Sequence, residues 1–102
     1  MQEDWSLELL GRWTTDPTDT DAINEYGRTT IVFDEDQNLT YIIHAEGKDQ
    51  VILMDYRVDG SVLITDQPSQ PGEERTAFTI TPDGKLVLEF GGIKSRYVRV
   101  SN

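Results

Sequence analysis

The residues able to do chemistry are few and scattered. The densest polar run is Asp16-Pro17-Thr18-Asp19-Thr20-Asp21, followed by Glu25. Hard oxygen ligands at short spacing suit calcium, but the run lacks the loop spacing of an EF-hand, and solvated loop residues account for it better. His44 is the only histidine, and the reading of the strands places it on an outward face without a clear partner. General acid–base catalysis needs a partner group within hydrogen-bond reach, and a haem or zinc site would rest on this one residue. The absence of cysteine removes thiol nucleophiles, thiolate metal ligands and disulfides. No nucleophile–base pair or metal constellation is recognisable, so the expectation is a non-enzymatic protein with no cofactor and no metal.

Composition narrows the partners. A chain of 102 residues fits a single domain spanning 1–102. A net charge of −10 argues against nucleic acid and anionic membrane surfaces, since nothing replaces the counterions of a phosphate backbone. The bland role of such charge is solubility. No basic-then-apolar leader opens the chain and no stretch could span a bilayer, so a cytoplasmic protein is expected. An exported mature form carrying a new Met1 is the alternative.

The elements that must position any site are strands. Turn-forming clusters fall at Asp16–Gly27, Asp34–Asn38, Glu46–Asp49, Asp59-Gly60, Asp66–Gly72, Pro82-Asp83-Gly84 and Gly91-Gly92. They separate segments Gly11–Thr15, Arg28–Phe33, Leu39–Ala45, Gln50–Val58, Ser61–Thr65, Glu74–Thr81, Lys85–Phe90 and Ile93–Val100, most of them rich in Val, Ile, Thr, Tyr and Phe. Trp5–Leu10 alone suggests a helix, about two turns long, with Asp4 as its N-cap.

Turn geometry then tests the faces. A two-residue turn at Gly91-Gly92 pairs Phe90 with Ile93, and one at Asp59-Gly60 pairs Val58 with Ser61. A three-residue loop at Pro82-Asp83-Gly84, with Gly84 left-handed, pairs Thr81 with Lys85. Paired residues share a face and faces alternate along a strand. One mainly apolar face follows, including Ile31, Phe33, Leu39, Tyr41, Met54, Tyr56, Leu63, Phe78, Leu86, Leu88, Ser95 and Tyr97. The expectation is an all-β, eight-stranded antiparallel up-and-down barrel with a short N-terminal helix. Closing the first strand on the eighth removes both edges. It brings Trp13 and Arg99 to one end, where the guanidinium over the indole contributes ~1–2 kcal/mol if shielded from water.

At these residues the chain resembles the lipocalin and fatty-acid-binding-protein (calycin) superfamily, particularly the small bacterial lipocalin-like domains. The resemblance rests on Gly11-Arg12-Trp13 after the lead-in Trp5–Leu10, on Tyr97-Val98-Arg99 near the end, and on the eight-strand layout. It implies a closed end at Trp13 and Arg99. It also implies a mouth built from Asp16–Gly27, Glu46–Asp49, Asp66–Glu73 and Gly91-Gly92. Those loops carry Asp16, Asp19, Asp21, Glu25, Glu46, Asp49, Asp66 and Glu73 against Lys48 alone. Such a mouth repels fatty acids and favours neutral or cationic guests. The family's internal carboxylate-binding set is matched only by Tyr97 and Arg99.

Two functions stay open. The first is a binding protein holding a small apolar molecule, with Tyr41, Met54, Tyr56, Ser95 and Tyr97 as candidate contacts. The second is an acidic protein-interaction module, of inhibitor or immunity type, whose bulky inward side chains fill the barrel. On the outer face, pairings that align Ile42 with Asp55 and Asp55 with Ile64 gather Ile42, Leu53, Val62 and Ile64 into an apolar patch, with Val51 at its margin. A two-fold homodimer would bury it.

Overall fold

Alternation and turn chemistry produce a wall that closes on itself. A computed structural model describes residues 8–90 and 92–100. Eight strands, β1 (Gly11–Thr15), β2 (Arg28–Phe33), β3 (Asn38–His44), β4 (Gln50–Asp59), β5 (Val62–Gln67), β6 (Gln70–Ile80), β7 (Leu86–Phe90) and β8 (Ile93–Arg99), pair in sequence order, each antiparallel to the next. β1 returns to β8 through Trp13↔Arg99, Thr14↔Val98 and Thr15↔Tyr97, which completes a closed barrel. The buried core runs through every strand, from Trp13, Ile31 and Phe33 through Leu39, Tyr56, Leu63 and Phe78 to Leu86 and Tyr97, with Leu9 beneath it.

Two expected turns sit where backbone chemistry put them. Phe90 pairs with Ile93. Thr81 N–H donates to the Lys85 carbonyl at 2.8 Å, with Gly84 at φ 86°. Two others shift. Asp59 pairs with Val62, so the turn residues are Gly60 and Ser61, with Gly60 at φ 61°. Val58 therefore faces Leu63 rather than Ser61. The slip is an even number of residues and leaves every side chain on its expected face. The stretch Asp66–Gly72 is not a broad loop. β5 runs on to Gln67 and β6 starts at Gln70, around a tight turn at Pro68-Ser69, with a register irregularity at Asp66/Gln67. The outer-face pairings change accordingly: Ile42 faces Val51, Asp55 faces Asn38 and Asp66, and Ile64 faces Arg57 and Arg75.

The expected N-terminal helix Trp5–Leu10 falls mostly outside the described residues, of which Glu8 and Leu9 are helical. A seven-residue helix that was not expected, α1 (Thr20–Tyr26), lies inside the stretch read as a turn. Asp19 caps it by accepting from Ala22 N–H at 3.2 Å, and Gly27 ends it at φ 75° with its N–H on the Ile23 carbonyl. α1 packs against β8 and β2, burying Ala22. Among the described residues no helix is long and apolar enough to cross a membrane.

Candidate functional site

The barrel holds a half-open cavity of about 550 Å³. Its walls come from inward positions of β2 to β8: Ile31, Leu39, Tyr41, Ile52, Met54, Leu63, Thr65, Thr76, Leu88, Ser95 and Tyr97. Gln67, Pro71, Gly72, Glu73 and Glu74 of the β5–β6 hairpin complete the lining. Volumes of about 300–1,000 Å³ with apolar walls and a few polar groups are typical of small-molecule sites. Of the five candidate contacts, Tyr41, Met54, Ser95 and Tyr97 line this space. Tyr56 does not. Its ring packs edge-on to Phe33 at 5.0 Å and its hydroxyl donates to the Asp34 carbonyl at 3.1 Å, which binds it into the wall near the other end.

The mouth differs from the expected one. No residue of Asp16–Gly27 or Glu46–Asp49 lines the cavity; the β5–β6 hairpin does. The β6–β7 ladder covers only Ala77 to Ile80, while β6 stays paired to β5 back to Gln70. The first half of β6 thus overhangs β7 and borders the cavity. Glu74 and Gln67, neither of them a candidate from the sequence, join the site: Gln67 because β5 runs on through residues read as turn, Glu74 because the strand expected to open there overhangs β7. Glu74 faces Thr65 just as Thr76 faces Leu63.

Most of the acids expected at the mouth are committed elsewhere. Asp16 is buried and accepts from Lys85 Nζ at 2.8 Å, Thr18 Oγ1 at 2.8 Å and Thr18 N–H at 2.9 Å. The lysine bond first, and the Thr18 bonds next, pull its pKa down to about 2 against the opposing effect of burial. The same bond raises Lys85. Asp19 caps α1 and also accepts from Arg96 N–H at 2.9 Å. With both carboxylates so engaged, the acidic run anchors α1 to the outer wall and offers no open calcium ligands from this pair. Among the described residues no three metal-ligating side chains gather. Asp66 accepts from Gly72 N–H at 3.1 Å. Glu73 binds Arg57 at 2.7 Å, and this bond lowers Glu73 and raises Arg57.

His44 has partners after all. Its Nε2 lies 2.7 Å from Thr30 Oγ1 and its Nδ1 lies 3.4 Å from Asp49. Hydroxyl, imidazole and carboxylate in line suggest a nucleophile–base–orienter set. They sit on the outer wall, however, at positions of opposite parity to the cavity residues Ile31 and Tyr41. The surrounding backbone of β2 and β3 is paired in the ladder, which leaves this set without the convergent donors an oxyanion requires. A strand-to-strand clasp is the role its surroundings support.

The far end holds the Trp13–Arg99 pair. The Arg99 guanidinium carbon lies 4.2 Å from the centroid of the Trp13 ring, and Trp13 is fully buried. Trp13 Nε1–H donates to the Leu9 carbonyl at 2.9 Å, while Arg99 donates to the Leu10 and Glu8 carbonyls at 2.7 and 2.6 Å. Gly11 holds φ 120°, a conformation that side-chain-bearing residues rarely adopt, and a Cβ there would crowd Arg99 Nη1 at 3.0 Å. Arg99 is thereby tied to backbone carbonyls and does not line the cavity, whose lining among the described residues contains no Lys, Arg or His. Next to it, Thr15, Thr29 and Tyr97 form a buried hydroxyl chain, with Oγ1···Oγ1 at 3.1 Å and Thr29 Oγ1 donating to Tyr97 Oη at 3.2 Å.

On the outer wall, Leu53 and Val51 are 66% and 56% exposed, while Ile42 and Val62 are half-buried. Ile64 is buried, at 3%. In the ladder it stands between Arg57 and Arg75. The expected patch is therefore smaller than drawn and excludes Ile64. Scans against protein families, characterised proteins and solved structures find no match to this chain, so its site is read from its own geometry.

Proposed function

We propose that this chain is a non-enzymatic, lipocalin-like binding protein whose barrel holds one small apolar molecule, neutral or cationic. The observation that carries the reading is the cavity of about 550 Å³, walled by Ile, Leu and Met with hydroxyls at Thr65, Thr76, Ser95 and Tyr97 and, among the described residues, with no basic side chain in its lining. The Gly11–Trp13 opening against Arg99 supports the lipocalin-like reading. The alternative, an acidic interaction module with a filled barrel, fits the net charge but not the cavity.

Nile red, a neutral apolar dye, tests the proposal. Saturable one-to-one fluorescence enhancement is expected, and the cavity-filling variant Met54→Trp should abolish it while keeping a cooperative melt. Unsaturable binding, or binding equal in the filled variant, would overturn the proposal.

A further inference from the structure

We infer that the ligand's polar end is a protonated amine, received at the cavity mouth by Glu74. This rests on the binding reading above and narrows the ligand class that reading leaves between neutral and cationic. Glu74 lies opposite Thr65 and shares the inward face with Leu63 and Thr76. It lines the cavity and is itself exposed, which places its carboxylate at the rim rather than in the depth. The other acid of the lining, Glu73, has the opposite parity and is bound to Arg57. Among the described residues no Lys, Arg or His lines the cavity to neutralise Glu74 or to meet an anionic head group. Beyond the rim the walls turn apolar, through Ile52, Met54, Leu63 and Leu88. One negative charge at the entrance and an apolar interior describe the complement of an amphiphilic monocation, with its head at Glu74 and its tail inward. The overhang of β6 past β7 sets Glu74 beside the approach to that interior.

Three probes with one tail and three heads separate the claims: decylamine, decanol and decanoate, each competed against Nile red at low salt. Decylamine should bind tighter than decanol by about fivefold, the upper range for an exposed ion pair, with decanoate weakest. Added salt should narrow that preference. Glu74→Gln should bring decylamine close to decanol and leave decanol unchanged. Glu89→Gln, the same charge change on the outer wall of β7, should leave the preference intact and so separate Glu74 from the overall negative field. Equal binding of amine and alcohol by the unaltered protein, or a preference that survives Glu74→Gln, would overturn the amine assignment while leaving the binding reading standing. If neither Nile red nor any of the three probes binds, the binding reading fails and takes the amine assignment with it.

Discussion

The two ends of the barrel use their inward side chains in opposite ways. At the Trp13 end, large rings and every described buried polar side chain have partners: Trp13 on Leu9 and Arg99, Phe33 on Tyr56, Tyr56 on Asp34. At the β5–β6 end, Met54, Tyr41 and Leu88 are only partly buried and surround open space. The same alternation builds both, so the difference lies in side-chain size and in how far the neighbouring strands extend. One end fills and fixes the wall; the other leaves room. Stability should therefore concentrate at the Trp13 end, away from the cavity, where more of the side chains are fully packed.

The largest test of this contrast is Trp13→Ala, which should cost roughly 3–5 kcal/mol in denaturant unfolding, the usual loss for a buried tryptophan. Arg99→Ala should cost about 2 kcal/mol, from the ring contact and two carbonyl bonds. The two changes should couple by about 1 kcal/mol in a double-mutant cycle, and strict additivity would mean that the 4.2 Å contact carries no energy.

Next comes pH. The Asp16 pKa is depressed, so its contribution is complete above the ordinary value of 3.8 and is lost as pH falls toward about 2. It should amount to about 1–2 kcal/mol. Asp16→Asn should remove that part of the acid sensitivity, and an unchanged pH profile in the variant would refute the latch to Lys85. Lys85, being raised, keeps its half of the pair until pH passes above 10.5.

At the open end, Met54→Ala should cost only about 1 kcal/mol, because the side chain is partly exposed to the cavity already. A loss equal to that of Trp13→Ala would erase the distinction between the ends. The smallest effect belongs to the outer wall. Leu53→Glu should change stability by less than about 0.5 kcal/mol in a monomer. Sedimentation of both forms checks the role of Val51 and Leu53 in pairing two copies: a dimer that dissociates in the variant supports it, and a monomeric unaltered protein removes it.

Faces were more legible in the sequence than ends. The turn at Pro82-Asp83-Gly84 and the hairpin joining Phe90 to Ile93 set parity correctly, and parity alone assigned Tyr41, Met54, Ser95 and Tyr97 to the inward face. At Asp59-Gly60 the glycine can serve either central position of a two-residue turn, and only pairing along the whole ladder selects Gly60-Ser61. Pro71 and Gly72 misled for a different reason. Proline is excluded from a strand paired on both sides, but here β7 ends too soon to use that edge of β6, so the missing N–H leaves no ladder bond broken. Glu74 already stood at the head of an expected strand; what hid it was how far β6 overhangs β7, which brings that position to the rim of the cavity. α1 is seven residues long, too short for a 3.6-residue period to stand out from an acidic run. Tyr56 has the right parity but the wrong height along the barrel, which depends on strand tilt and cannot be read from alternation.

The β1–β8 seam has a kinetic consequence. Seven of the eight pairings join consecutive strands, six of them through short turns and β1–β2 across the segment that carries α1. The eighth joins residues such as Leu10 and Arg99, 89 positions apart. Closing so long a loop costs about 3 kcal/mol more entropy than closing a four-residue turn, so it is favourable only after the meander has already curled. The seam should then form last and open first. In stopped-flow refolding, Arg99→Ala should speed unfolding and leave the folding rate nearly unchanged. A folding rate slowed by the full stability loss would instead put closure in the nucleus. If the seam does break first, the protein's lifetime against unfolding is set by one arginine and one tryptophan facing each other across β1 and β8. The cavity, whose walls on β2 and β8 flank β1, is then completed only when that seam closes.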